Sequence, residues 1–155
     1  MYYAYVYSKI QYGLEVYGSA SETELKKIQT KQNNSLKILF DKDFYTPTEK
    51  LHKDIGVLLV KDIYKLYLAK FVYKHQHGLL PDIFNNYFTT NDYVHKYNTR
   101  QNMNLHKSQN KTMYGSKTTK QRGIQFWNEV PLSLRKVQGV KSFARQVKDY
   151  IIQKY

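Results

Sequence analysis

Residues 60–78, VKDIYKLYLAKFVYKHQHG, decide how this chain is to be read. Val60, Ile63, Tyr64, Tyr67, Leu68, Phe71 and Val72 recur at three- and four-residue intervals, which puts them on one broad helical stripe, while Lys61 and Lys65 fall away from it. His77-Gly78 closes the element, because glycine tolerates the left-handed C-terminal position and cationic rings suit the negative end of a helix dipole. No run of alternating residues anywhere predicts a strand. The expected fold class is therefore mainly α: a small helical domain of about six helices with a long basic loop.

Upstream of this helix, Thr46 with Pro47 at the first helical position and Glu49 three residues after the cap predict a short helix ending near Gly56. Ser21 and Glu24 form an S-x-x-E capping box for a helix whose face carries Leu25, Ile28, Leu36 and Leu39. Val6, Ile10, Leu14 and Tyr17 mark an opening helix, weakened at Gly13 and stopped at Gly18. Downstream, Leu80-Pro81 begins a short apolar segment with Ile83, Phe84 and Phe88. From about residue 89 to 118 periodicity disappears, which predicts a long loop, and loops of that length in a compact domain tend to be functional or ordered by a partner. Helical pattern resumes at Gln121 to Glu129 with Ile124 and Trp127, breaks at Pro131, and ends in a helix capped by Ser142 with Phe143, Val147, Tyr150 and Ile151 on one face.

At 155 residues the chain has the size of one domain with a real core. Its 16 tyrosines suit half-buried surfaces, since a phenol buries a ring but keeps a hydroxyl that needs a partner. The absence of cysteine excludes disulfides, thiol chemistry and Cys-containing zinc knuckles. Neither a secretory leader nor ~20 consecutive apolar residues is visible, so the expected location is intracellular, in nucleus or cytoplasm, with no membrane partner. The net charge of +13 is uneven: residues 1–90 hold 12 Lys/Arg against 9 Asp/Glu, whereas residues 91–155 hold 13 against 3. Between Tyr93 and Asn128 there is no acid, while Lys96, Arg100, Lys107, Lys111, Lys117, Lys120 and Arg122 are all basic. Such a block attracts polyphosphate, and without an amphipathic basic helix or a lipidation motif the expected partner is RNA or DNA.

Six local signals in order complete the picture. They are Tyr12-Gly13 through Tyr17-Gly18, the helix around Gln32, Leu79-Leu80-Pro81 with Phe84 and Phe88, Tyr97-Asn98-Thr99-Arg100, Gly123 with Trp127-Asn128 and Pro131, and Ser142-Phe143 with Tyr150. Together they resemble the region downstream of the polymerase core in non-LTR retrotransposon reverse transcriptases of the jockey-like group. The resemblance implies that residues 1–40 are a truncated, thumb-like helical pair and residues 41–155 a helical C-terminal domain that helps hold element RNA and target DNA. It also implies that fingers, palm and any upstream endonuclease lie outside this chain, so that the missing polymerase core is itself a possible partner. Tyr17 stands where the family more usually has Trp.

Polymerase chemistry needs carboxylates that hold divalent metal on both reacting oxygens, and no Asp-Asp pair occurs here. Asp41 and Asp43 fall in a turn, where Asp is favoured for local hydrogen bonding. His75 and His77 lack companions that would complete a zinc set. No catalytic residue, metal, cofactor or small-molecule substrate is expected. Arg100, in Tyr97-Asn98-Thr99-Arg100, offers either a fork for a phosphate or a pin for its own loop. Trp127, the only tryptophan, and Phe143 are expected to be structural anchors. The rival expectation is a protein-interaction module or inactive retroelement relic with no nucleic-acid role, its exposed tyrosines forming a docking face.

Overall fold

The protein is described by a computed structural model covering residues 1–94 and 101–155. Among the described residues it is mainly helical and contains no strand longer than an isolated bridge. A π-helical turn at Tyr3–Tyr7 leads into α1 (Ser8–Gln11) and α2 (Leu14–Tyr17), followed by α3 (Glu22–Leu39), α4 (Thr48–Ile55) and α5 (Val60–Gln76). After a single 3-10 turn at Asp82–Phe84 come α6 (Asn91–Val94), α7 (Met113–Ser116), α8 (Thr119–Glu129), α9 (Leu132–Arg135) and α10 (Val140–Ile152). Among these helices no one is long and apolar enough to cross a membrane.

The chain packs as two compact units, Met1–Tyr64 with Lys148–Tyr155, and Lys65–Val147. This division falls after Tyr64, within α5. The last residues join the first unit because the Tyr155 hydroxyl donates to Asp62 Oδ2 (2.8 Å) and accepts from the Leu59 N–H (3.0 Å).

In the first unit Tyr2, Leu36, Leu51 and Val57 make an apolar cluster edged by Val6, Tyr7 and Ile55. Beside it runs a polar ladder in which Gln32 and His52 are buried and Gln29 and Asn33 half-buried. Gln29 Oε1 accepts from the Val60 N–H (2.8 Å), which fixes the amide so that Nε2 donates to Gln32 Oε1 (2.8 Å). Gln32, 1 % exposed, donates in turn to the Leu58 carbonyl (2.9 Å) and the Tyr2 hydroxyl (2.7 Å). Burial pushes the Tyr2 phenol up to about 12. His52, fully buried, sets Nδ1 at 3.0 Å from the Val57 carbonyl and turns Nε2 toward the amides of Asn33 (2.9 Å) and Gln29 (3.2 Å). Burial lowers its pKa below 6.5, against weaker opposing pulls from the Val57 and Leu58 carbonyls and Asp62.

In the second unit the core is built from rings. Tyr73 stacks on His77 (centroids 3.9 Å apart) and on Phe143 (4.3 Å), and Phe143 meets Trp127 (5.8 Å). Tyr73, though buried, satisfies its hydroxyl by donating to the Val137 carbonyl (2.8 Å). A second group sets Phe71 edge-on to Phe84, Tyr87 and Phe88. Gly123 lets α8 approach closely: an added Cβ would lie 3.3 Å from Val72 Cγ2 and 3.8 Å from Phe88 Cζ.

Several details differ from expectation. The buried side of α5 is wider than the stripe, with Asp62, Leu66, Ala69 and Tyr73 also buried. Pro47, not Thr46, stands just before α4, and Thr48 instead bonds Asn33 Nδ2 (3.1 Å). Gly18 has φ −63° and does not stop the helix through a left-handed turn; its missing Cβ leaves room for the Tyr64 ring. Ser142 is no cap, because α10 begins at Val140, directly after Gly139 at φ 85°, where an L side chain would be strained. The described part of 89–118 is also more ordered than a bare loop, carrying α6, α7 and a Thr90–Leu105 antiparallel bridge.

Candidate nucleic-acid interface

The basic segment is held down by side chains that bond to backbone. Asn91 N–H donates to the Asn104 carbonyl (2.9 Å) and His106 N–H to the Thr89 carbonyl (2.8 Å), which forms the bridge on one side of Leu105. On the other side the Asn128 amide takes both polar groups of Leu105: Oδ1 accepts from its N–H (3.0 Å) and Nδ2 donates to its carbonyl (2.9 Å). Leu105 is 1 % exposed, so a peptide group at this depth needs both bonds. Arg135 adds a third attachment. Its Nη1 reaches Asn104 Oδ1 (3.0 Å), while Nε and Nη2 donate to the carbonyls of Val130 (2.8 Å) and Asn128 (3.0 Å), the last turn and end of α8. The guanidinium also lies over the Trp127 ring, 5.6 Å from its centroid. Burial lowers the Arg135 pKa, and the carbonyls and the ring face compensate the charge it keeps.

Further along, Gln121 Nε2 donates to Ser108 Oγ (2.7 Å), bringing the segment alongside the first turn of α8, whose N-cap Thr118 accepts from the Gln121 N–H. The single turn α7 is braced internally: Thr112 Oγ1 accepts from the Gly115 N–H (3.1 Å), and the Ser116 hydroxyl donates to the Met113 carbonyl (2.6 Å).

On this scaffold Lys107, Lys111 and Arg122 are exposed, and Lys117 and Lys120 are half-buried. Lys107 adjoins Ser108 at the start of α8, Lys111 and Lys117 flank α7, and Lys120 and Arg122 lie on the first turns of α8. None of the five has a carboxylate partner among the described residues. Lys120 Nζ instead lies 5.1 Å from the centroid of the Tyr87 ring, a contact that leaves its donors free to bond elsewhere. Lys96 and Arg100, with the rest of Tyr97-Asn98-Thr99-Arg100, lie outside the described residues.

Family models, curated proteins and solved structures give no match to this chain. Five cations with no carboxylate partner among the described residues, on a segment fixed by amides, hydroxyls and the Arg135 guanidinium, are suited to an anionic ligand with repeated charges.

The remaining candidates have local roles. Asp43 Oδ1 accepts from the Tyr45 N–H (2.7 Å), an Asx-type turn, and Asp41 occupies the left-handed turn position at φ 47°. Among the described residues, no three His, Cys, Asp or Glu side chains converge as a metal site would require. His77 Nδ1 lies 2.9 Å from the Tyr73 carbonyl, and the His75 ring packs edge-on to Phe88. Trp127 and Phe143 are 4 % and 0 % exposed, in the ring core described above. Asn128, Arg135 and Gln121 position the basic segment, and composition does not distinguish them. The one available signal was Asn128, adjacent to the sole tryptophan.

Proposed function

We propose that this chain is a non-catalytic, nucleic-acid-binding portion of a non-LTR retrotransposon reverse transcriptase, acting beside a polymerase core that it does not itself contain. Its ligand is RNA or DNA held through backbone phosphates, and its workplace the nucleus or cytoplasm. The family assignment rests on the ordered motifs from Tyr12-Gly13 to Tyr150. The binding assignment rests on one observation: Lys107, Lys111, Lys117, Lys120 and Arg122 have no carboxylate partner among the described residues. Contacts of this kind supply affinity with little discrimination between sequences.

The test is a fluorescence-anisotropy titration with RNA and DNA over a series of salt concentrations. Each neutralised phosphate contributes about 0.7–0.9 to the slope of log affinity against log salt. The triple variant Lys117→Ala/Lys120→Ala/Arg122→Ala is therefore expected to lower that slope by about 2–3 and to weaken binding while remaining folded by circular dichroism. Arg100→Ala tests the sequence-level expectation for that residue in the same assay. Salt-insensitive affinity overturns the phosphate reading.

The rival, a protein-interaction module, is favoured by a different observation. Tyr5 (73 %), Tyr12 (86 %) and Val16 (82 %) are exposed near the start of the chain, as are Ile38 (81 %) and Tyr45 (88 %). Concentration-dependent association of the protein alone, in the absence of nucleic acid binding, would favour that reading.

A further inference from the structure

The ring of Tyr114 is 86 % exposed, and Met113 beside it is 72 % exposed, in the middle of the acid-free stretch between Tyr93 and Asn128. An exposed tyrosine alone is ordinary. What sets this one apart is its support and its neighbours. It sits on α7, a turn closed by the Thr112 and Ser116 side chains, by the Lys117 N–H donating to the Tyr114 carbonyl (3.1 Å), and by the Ser116 N–H donating to the Thr112 carbonyl (3.3 Å). Asn110 packs beside Gly115 closely enough that an added Cβ would lie 3.2 Å from its own Cβ. The backbone under the ring is thus already ordered, and binding through a tyrosine then costs the restriction of only two side-chain torsions. Lys117 stands three residues further on, a spacing that sets helical side chains about 5–6 Å apart between Cβ atoms, with Lys111 on the other flank of the turn. Neither lysine has a carboxylate partner among the described residues.

We infer that Tyr114 is a base-stacking platform and that the preferred ligand of this basic surface is a single strand, one base lying on the Tyr114 ring with adjoining phosphates on Lys111 and Lys117. A ring flanked by free cations matches the alternation of base and phosphate along a strand. In a duplex the faces of the bases are occupied by one another, so the ring has nothing to stack on. Stacking of this sort tolerates any base, so the ring supplies affinity for a strand without selecting its sequence.

This inference rests on the nucleic-acid reading above, and one experiment separates the two. The full chain is titrated by fluorescence anisotropy, at fixed low salt, with a uridine oligonucleotide, an abasic strand of equal length and a duplex of equal length. Tyr114→Ala is expected to weaken uridine-strand binding about tenfold while leaving abasic-strand and duplex binding unchanged, and Tyr114→Phe to bind as the parent does. Because the ring is exposed, neither substitution threatens the fold, and circular dichroism checks this. Binding of the uridine strand that is indifferent to Tyr114→Ala, or a loss that is the same for all three ligands, overturns the platform and leaves phosphate binding standing. Absence of binding to all three ligands overturns both.

Discussion

In the first unit amides and an imidazole join separate stretches of the chain: Gln32 ties residue 2 to residue 58, and Gln29 ties α3 to the start of α5. In the second, rings do so, with Tyr73, Phe143 and Trp127 joining α5, α10 and α8. The difference is one of what each arrangement fixes. A hydrogen-bonded ladder specifies individual backbone groups, here the carbonyls of Val57 and Leu58 and the N–H of Val60, and fails sharply if one member is lost. A ring cluster specifies volume and contributes more through area than through direction.

Truncation should expose that contrast most strongly in the ring core. Phe143→Ala removes the ring between Tyr73 and Trp127 and is expected to cost about 3–5 kcal/mol in denaturant unfolding, with Phe143→Leu recovering much of it. A loss near 1 kcal/mol for the alanine would mean that the column relaxes to fill the space. Next in size is Gln32→Met, which keeps volume but withdraws donors from the Leu58 carbonyl and the Tyr2 hydroxyl. About 2–3 kcal/mol is expected, and near-neutrality would show that apolar burial alone holds this unit. Gly123→Ala crowds Val72 but gains helix propensity within α8, so the two effects oppose and a net change within about 1 kcal/mol is expected, read as a small shift in the midpoint of thermal unfolding.

The smallest effect is a pH dependence confined to the ladder. His52 has a lowered pKa when folded, so between that value and 6.5 the unfolded chain takes up a proton that the folded one resists. Stability therefore falls as pH is lowered through this window and is fully present above 6.5. Urea midpoints at pH 7.5 and 5.5 should separate more for the parent than for His52→Gln. Equal separations would remove His52 as the cause.

The longer helices were legible because their burial follows a period: the Val60–Val72 stripe and the Phe143, Val147, Ile151 face all lie on real helices, and Ser21 Oγ does accept the Glu24 N–H. The ladder was not legible, since Gln32 occupies the middle of an apolar face and a glutamine there carries no sign of being buried. The order within residues 101–118 was missed for a related reason. It comes from Asn128 on Leu105, Arg135 on Asn104 and Gln121 on Ser108, bonds from distant side chains to a segment without periodicity. Of the basic residues, the sequence reveals their charge but not that Arg135, outside the expected set, serves as an internal brace.

Leu105 illustrates how a segment can be paired on both sides without becoming part of a sheet. One side of its backbone meets a bridge at Thr90, and the other meets the Asn128 carboxamide, which presents one donor and one acceptor as a neighbouring peptide would. A side chain, unlike a strand, offers no next residue to pair with. Asn128 thereby acts as a terminator: at Leu105 it closes the edge that a further strand, from this or another molecule, would otherwise extend.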